Sequence, residues 1–371
     1  MWKAFVNAVI FTGEERITGK ALLTENDRIK DIIEVDQVPA SATIVDCKDS
    51  YLAPGLIDLQ VYGGGGFLFS QTTTPPALKS ITNSLRSNGT TGFFLTLATN
   101  SLGVFRKAIQ VVKENPQPGL LGLHFEGPYL NMLKRGAHIK EFIHKPTVEE
   151  VTDLLHEAGD VLKMVTLAPE ICDPEVISLF NDRGVIVSAG HSNATFDEAM
   201  HGYNNGITTT THLFNAMSSL HHRGTGLPGA VFMHNTAYAS IIADGIHVDY
   251  QTLAISKRLL GDRLFLITDA VEEVKEGAYV HVRQGDRFTL PDGTLSGSCL
   301  TMLQAVHNCT QHAGISLDES LRMASAYPAR VAGLHDRGYL KPSYLADMII
   351  FTPGFQATHS VVSGQIYEHV G

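Results

Sequence analysis

A chain of 371 residues, 44% of them hydrophobic, can bury a large core, as one large domain beside a small one or as two or three average domains. Its net charge of −10, with no Lys/Arg run, excludes an extended basic surface for nucleic acid or an anionic membrane, while still permitting a local cationic pocket for a phosphorylated small molecule. The cysteines Cys47, Cys172, Cys299 and Cys309 are scattered and form no C-x-x-C, the N-terminus carries no signal-peptide pattern and no apolar run is long enough to span a bilayer, so a cytoplasmic protein with reduced thiols is expected.

Residues 1 to about 53 read as short strands with turns: 2–6, 8–11, a turn at Asn26-Asp27-Arg28, then 29–33, 42–46 and the closing stretch 51–55. After Pro54 apolar runs alternate with amphipathic stretches, the pattern of repeated βα units on a parallel sheet. Eight strands are expected at 56–60, 92–97, 120–126, 162–168, 185–191, 208–213, 239–243 and 264–269. Helices are expected between them, among others at 76–87, 102–113, 148–156, 174–183, 195–203 and 250–260. Eight such units in one run favour a closed α/β barrel of the (β/α)8 TIM type over an open sheet. A polar, turn-rich insertion follows at 272–298, then helices at 301–313 and 317–332, the second with Ser316 three residues before Glu319 as a capping arrangement. Strand texture returns at 347–351, 359–362 and 365–367. The two β-rich ends are expected to pair into a small β-sandwich domain (1–53 with 336–371) beside a barrel domain of 54–335.

Polar or ionisable residues finish several of these strands. The run Leu120 to Phe125 stops at Glu126, followed by Gly127-Pro128; His191, His212, His247 and Asp269 stand at or just past the ends of the fifth to eighth strands. A lone histidine at a strand end is ordinarily a satisfied core residue. Several in register at one end of a barrel are costly to bury without a shared partner. Two imidazoles and a carboxylate are the usual ligand set of a hydrolytic zinc site with an open position, and a free carboxylate, here Asp269, can serve as general base. His247 is placed to steady an oxyanion or the substrate.

Several stretches resemble the N-acetylglucosamine-6-phosphate deacetylases of the amidohydrolase superfamily. They are Pro54-Gly55-Leu56-Ile57-Asp58, His124-Phe125-Glu126-Gly127-Pro128, Lys134-Arg135-Gly136-Ala137-His138, Gly190-His191-Ser192, His212-Leu213-Phe214-Asn215-Ala216-Met217, Ala243-Asp244-Gly245-Ile246-His247, Thr268-Asp269-Ala270 and Leu295-Ser296-Gly297-Ser298, in family order across almost the whole chain. The resemblance implies a barrel with a small β-sandwich and a homodimer. By matching position it implies a single divalent metal ion, zinc by expectation, on Glu126, His191 and His212, with Asp269 as catalytic base and then acid. It assigns Asn215, Ala216 and Arg223 to the sugar phosphate, Ala137, His138 and His247 to the sugar or acetamide, and Leu295, Ser296 and Gly297 to the acetyl end. A guanidinium such as that of Arg223 forks onto phosphate oxygens.

One departure stands out. Many amidohydrolases carry His-x-His at the end of the first barrel strand to bind a second metal; here Gln60 and Tyr62 stand instead, and neither is a good zinc ligand. One catalytic metal per chain is therefore expected. Gly63 to Gly66 read as a flexible turn at the barrel mouth, His124 as a core residue, and His221 and His222 as rim residues. The implied reaction is hydrolysis of N-acetylglucosamine 6-phosphate to glucosamine 6-phosphate and acetate. The alternatives are another amidohydrolase, such as an N-acetylgalactosamine-6-phosphate deacetylase or a cyclic amidase, and a non-catalytic sugar-phosphate-binding protein on the same fold.

Overall fold

The computed structural model describes residues 1–369. Eight parallel strands stand side by side in chain order: Leu56–Val61, Thr90–Ala98, Leu120–Glu126, Leu162–Leu167, Ile186–Ala189, Thr209–Thr210, Tyr238–Ile242 and Leu264–Ile267. Helices alternate with them: Pro75–Ser87, Leu102–Glu114, Val148–Ala158, Pro174–Asp182, Phe196–Asn204, Gly226–Met233 and Tyr250–Leu260. All six residues of the first strand are buried, as a strand covered on both faces requires. Gly55 precedes it because a Cβ there would sit 1.9 Å from Thr91 Oγ1.

The last strand returns to the first and closes the barrel. Asp269 N–H donates to the Gln60 carbonyl at 2.9 Å, and Tyr62 N–H donates to the Ala270 carbonyl at 2.9 Å. Asp58, wholly buried, accepts from the Thr268 amide and hydroxyl across the same seam. Inside the barrel a line of hydroxyls runs from His124 Nε2 to Thr166 (2.8 Å), Thr211 (2.7 Å) and Ser188 (2.6 Å). His124 is the core residue the sequence suggested. Burial pushes its pKa down to about 4, and its Nδ1 meets the Leu59 carbonyl at 3.1 Å.

Both termini build a second sheet. Trp2–Phe11, Arg16–Ile17, Lys20–Glu25, Arg28–Glu34 and Thr43–Pro54 join Met348–Phe351, Ala357–Val362 and Gln365–Glu368. This is the separate β domain expected of the β-rich ends. Its strands are hydrogen-bonded as one continuous sheet, around a core that includes Phe5, Leu22, Leu52, Met348, Ile350 and Val361. The strands expected at 2–6 and 8–11 are one: Asn7, at φ +55°, forms a bulge against Thr43–Pro54, where Lys48 and Asp49 also take positive φ.

Four local expectations change. The helix expected over 317–332 is two, Leu317–Ala324 and Ala326–Val331. Pro328 has no N–H and its ring would meet the carbonyl four residues back, so the helix breaks at Ser325. Ser316 does cap the first piece by accepting from Glu319 N–H, but the Glu319 carboxylate turns to Arg322 and Lys257 instead of completing a box. The glycines at 63–66 are an ordered hairpin, Gly63–Gly64 against Phe67–Leu68, with Gly65 and Gly66 at φ +61° and +85° in the two-residue turn. The insertion at 272–298 carries a small antiparallel sheet, Val282–Gln284, Arg287–Thr289 and Leu295–Ser298.

Candidate metal centre and active site

The carboxylate and imidazoles that finish the barrel strands converge at one end. Glu126 is the last residue of the third strand, while His191, His212 and Asp269 each lie two residues past the end of theirs. Those three have φ of +47°, +32° and +54°. Left-handed backbone outside glycine costs on the order of 1–3 kcal/mol per residue and persists where the surroundings enforce it. Here it turns the chain sharply at each strand end, and all three side chains line a single cavity with Glu126.

Glu126 Oε1 lies 3.2 Å from His191 Nε2 and 3.0 Å from His212 Nε2, and the two imidazole nitrogens are 3.0 Å apart. All three side chains are buried. His191 Nδ1 donates to the Lys134 carbonyl at 2.9 Å, so its Nε2 presents a lone pair to Glu126 Oε1. His212 Nδ1 is buried with no partner among the described residues. Groups this close need positive charge among them, from a ring proton or from a bound cation. The donor set of one carboxylate and two imidazoles, with a ring nitrogen held by a carbonyl behind it, therefore fits a divalent metal.

The outer oxygen of Glu126 faces donors. Tyr62 donates its hydroxyl to Oε2, and His138 Nε2 lies 3.0 Å from the same atom. His138 Nδ1 accepts the Thr99 N–H at 3.2 Å, which leaves Nε2–H to donate. Burial opposes ionisation of Glu126, but positive charge on the His191 and His138 imidazoles of the metal-free chain outweighs it and holds the carboxyl well below the usual range, so Glu126 is anionic where a cation would bind. Asp269 goes the other way. Burial raises it, with His212 opposing and the Glu126 charge adding to the rise.

The cavity has a volume of about 350 Å³. Ala137, His138, Asn215, Ala216, His247, Leu295, Ser296 and Gly297 all line it. His247 Nδ1 is 2.6 Å from Asp244 Oδ2, and that carboxylate also takes the Ile246 and His247 amides. Arg223 is exposed on the loop after His221 and His222 and does not line the cavity.

Lys134, Tyr279 and His281 are among the lining residues given no role from the sequence. Lys134 sits inside the Lys134-Arg135-Gly136-Ala137-His138 motif and is the one Lys or Arg side chain that lines the cavity among the described residues. Tyr279 and His281 come from the insertion: the Tyr279 hydroxyl donates to the Thr99 carbonyl at 2.6 Å, and His281 Nδ1 lies 2.9 Å from Ser296 Oγ. Burial pushes His281 down to about 4, so its ring is neutral at pH 7. The spacing of Tyr279 and His281, two apart in an otherwise polar stretch, was the available signal.

The profile described as "Amidohydrolase family" matches residues 51–367, and one described as "NagA composite domain" matches residues 2–48. The chain belongs to the amidohydrolase family. Relatives at 32% identity or more include deacetylases of amino-sugar phosphates. The N-acetylglucosamine-6-phosphate deacetylase of Haemophilus influenzae is 32% identical over 381 residues, 99% of each chain. The N-acetylgalactosamine-6-phosphate deacetylase of Shewanella sp. is 33% identical over 310 residues, 80% of this chain and 78% of its own. The crystal structure of N-acetylglucosamine-6-phosphate deacetylase from Pasteurella multocida aligns at a TM-score of 0.95 and 36% identity over 100% of both chains.

Proposed function

We propose that the chain hydrolyses the acetamide of N-acetyl-D-glucosamine 6-phosphate, giving D-glucosamine 6-phosphate and acetate. The observation that carries this is the Glu126, His191 and His212 set beside a buried Asp269 in one cavity. A divalent ion held there, zinc in our reading and one per chain, supplies Lewis acidity, lowering the pKa of water from about 15.7 to about 7 and polarising a carbonyl. Asp269 takes the proton of the attacking water and passes it to the departing amine. His247, with Nδ1–H given to Asp244, offers Nε2 as an acceptor for a sugar hydroxyl. His138 supports Glu126 in place of a direct substrate contact. The Lys134 ammonium favours an anionic substrate. Leu295, Ser296 and Gly297 enclose the acetyl end next to Asp269, whose carbonyl accepts the Ser298 N–H.

We also take the chain to divide into 1–53 with 336–371 and 54–335, and to work as a cytoplasmic homodimer. Exposed Met132, Leu133 and Leu220, on the loops after the third and sixth barrel strands, support a surface for a second copy. Among the described residues no helix is long and apolar enough to cross a membrane.

The Shewanella relative supports a second reading, the galactosamine epimer as substrate. Acetate release by metal-loaded protein from both N-acetylhexosamine 6-phosphates and from unphosphorylated N-acetylglucosamine tests both. Fast release confined to the glucosamine 6-phosphate is expected. Faster release from the epimer selects the second reading, and binding without release from any of the three sugars makes the chain a binding protein.

A further inference from the structure

Gln60 and Tyr62 both meet Glu126 across the barrel mouth. Gln60 Nε2 lies 2.9 Å from Glu126 Oε1 and 2.9 Å from the Tyr62 oxygen, and the Tyr62 hydroxyl donates onward to Glu126 Oε2. His138 Nε2 brings a second donor to Oε2 at 3.0 Å. The two oxygens of one carboxylate thus have different surroundings. Oε2 is enclosed by hydrogens of an O–H and an N–H, where a cation is unfavourable. Oε1 takes one amide hydrogen from Gln60 and otherwise faces the Nε2 atoms of His191 and His212, where a cation is favourable.

The geometry points to Tyr62 as a positioning residue: with Gln60 it holds Glu126 so that Oε1 alone meets a single metal ion, and it fills with hydrogen-bond donors the space beside Oε2 where a second ion would lie. This rests on the metal-hydrolase reading above. Two features separate it from simple packing. The phenol hydroxyl lies between Gln60 Nε2 and Glu126 Oε2, and its loss leaves His138 as the one donor at Oε2 among the described residues. The terminal torsion of a glutamate is broad, so a carboxylate held at Oε2 by His138 alone turns more freely toward the metal position. The rival role is a substrate contact, since Tyr62 also lines the cavity.

The test is titration of metal-free protein with Zn2+ against a fluorescent chelator, without substrate. Tyr62→Phe keeps the ring and removes the hydroxyl. Loss of a partner behind a metal ligand weakens binding about 10–100-fold, and that weakening is the expected result, with KM nearly unchanged once metal is saturating. Unaltered zinc affinity in folded Tyr62→Phe, whether KM rises or only the thermal midpoint of the metal-free protein falls, overturns the proposal. The double variant Gln60→His with Tyr62→His replaces donors by lone pairs and is expected to take up a second ion per chain. If Tyr62→Phe does not fold, this variant decides, and uptake of a single ion overturns the proposal. Absence of zinc binding by the unaltered chain is a different outcome: it removes the hydrolase reading itself.

Discussion

Gln60 Nε2 lies 2.9 Å from Asp269 Oδ1. The same nitrogen lies 2.9 Å from Glu126 Oε1, so one amide spans the carboxylate of the metal set and the carboxylate of the base. With Oδ1 held, Asp269 Oδ2 has no protein partner among the described residues and is the oxygen available to a reacting water.

Asp269→Asn keeps the shape of that arrangement and removes the proton acceptor. Turnover is expected to fall by about 10²–10⁴-fold or more, with zinc content unchanged and substrate still bound. Acetate release measured beside calorimetric binding checks this. Near-normal turnover would assign the base elsewhere.

Glu126→Ala takes away the only carboxylate among the three candidate ligands. The chain is expected to lose stoichiometric metal, not merely to bind it more weakly, because the two remaining imidazoles cannot complete a site of about three protein ligands. Metal analysis after gel filtration reads it. In the unaltered protein, zinc at about 100 times its Kd should add about 2.7 kcal/mol of stability over the metal-free form, seen as a higher thermal midpoint; no rise would contradict a folded-state site.

Asp58 gives a pH signature of its own. Burial raises its pKa to about 7 despite hydrogen bonds from Thr268 and the Gln60 amide. The unfolded chain releases that proton near about 4. The folded form therefore holds the extra proton between these values. Its stabilising contribution is complete below about pH 4, is lost as pH rises to about 7, and amounts to about 4 kcal/mol at most. Urea unfolding of metal-free protein should show a steeper fall in stability from pH 4 to 7 than Asp58→Asn does. Equal slopes would mean that Asp58 is ionised throughout.

Gly297→Ala tests how closely the insertion is fitted to the base. Gly297 has φ +113°, and a Cβ there would lie 2.6 Å from Val271 Cγ1 and 3.1 Å from the Asp269 carbonyl oxygen. The expected result is a loss of about 1–3 kcal/mol in stability and a drop in kcat, with zinc content intact. Wild-type kcat would show that the segment yields without disturbing Asp269.

Much of the site was legible because Glu126, His191 and Asp269 each interrupt or follow an apolar run, after Phe125, after Ala189 and Gly190, and after Ile267 and Thr268, while His212 follows a run of four threonines. The strands themselves were legible for the same reason, being buried on both faces. What stayed hidden depends on other physics. Gly226–Met233 is a helix whose first six residues, Gly226 to Val231, are all buried, so it offers no polar face to set a period. The positive φ of His191, His212 and Asp269 follows from tertiary enforcement and leaves no local mark, since none is glycine. Tyr279 and His281 reach the cavity only once the insertion folds over the mouth, and Arg223 lies outside it although its motif neighbours Asn215 and Ala216 line it.

The seam of the barrel also orders events in time. The three candidate ligands come from the third, fifth and sixth strands, whereas the base and the amide that holds it come from the eighth and the first, 209 residues apart in sequence. Joining those ends closes the longest loop in the barrel and carries its largest entropic cost. During refolding, uptake of zinc reports the middle of the barrel, while the return of acetate release reports closure of its first strand on its last. The lag between the two signals is therefore a clock for the step that completes the ring.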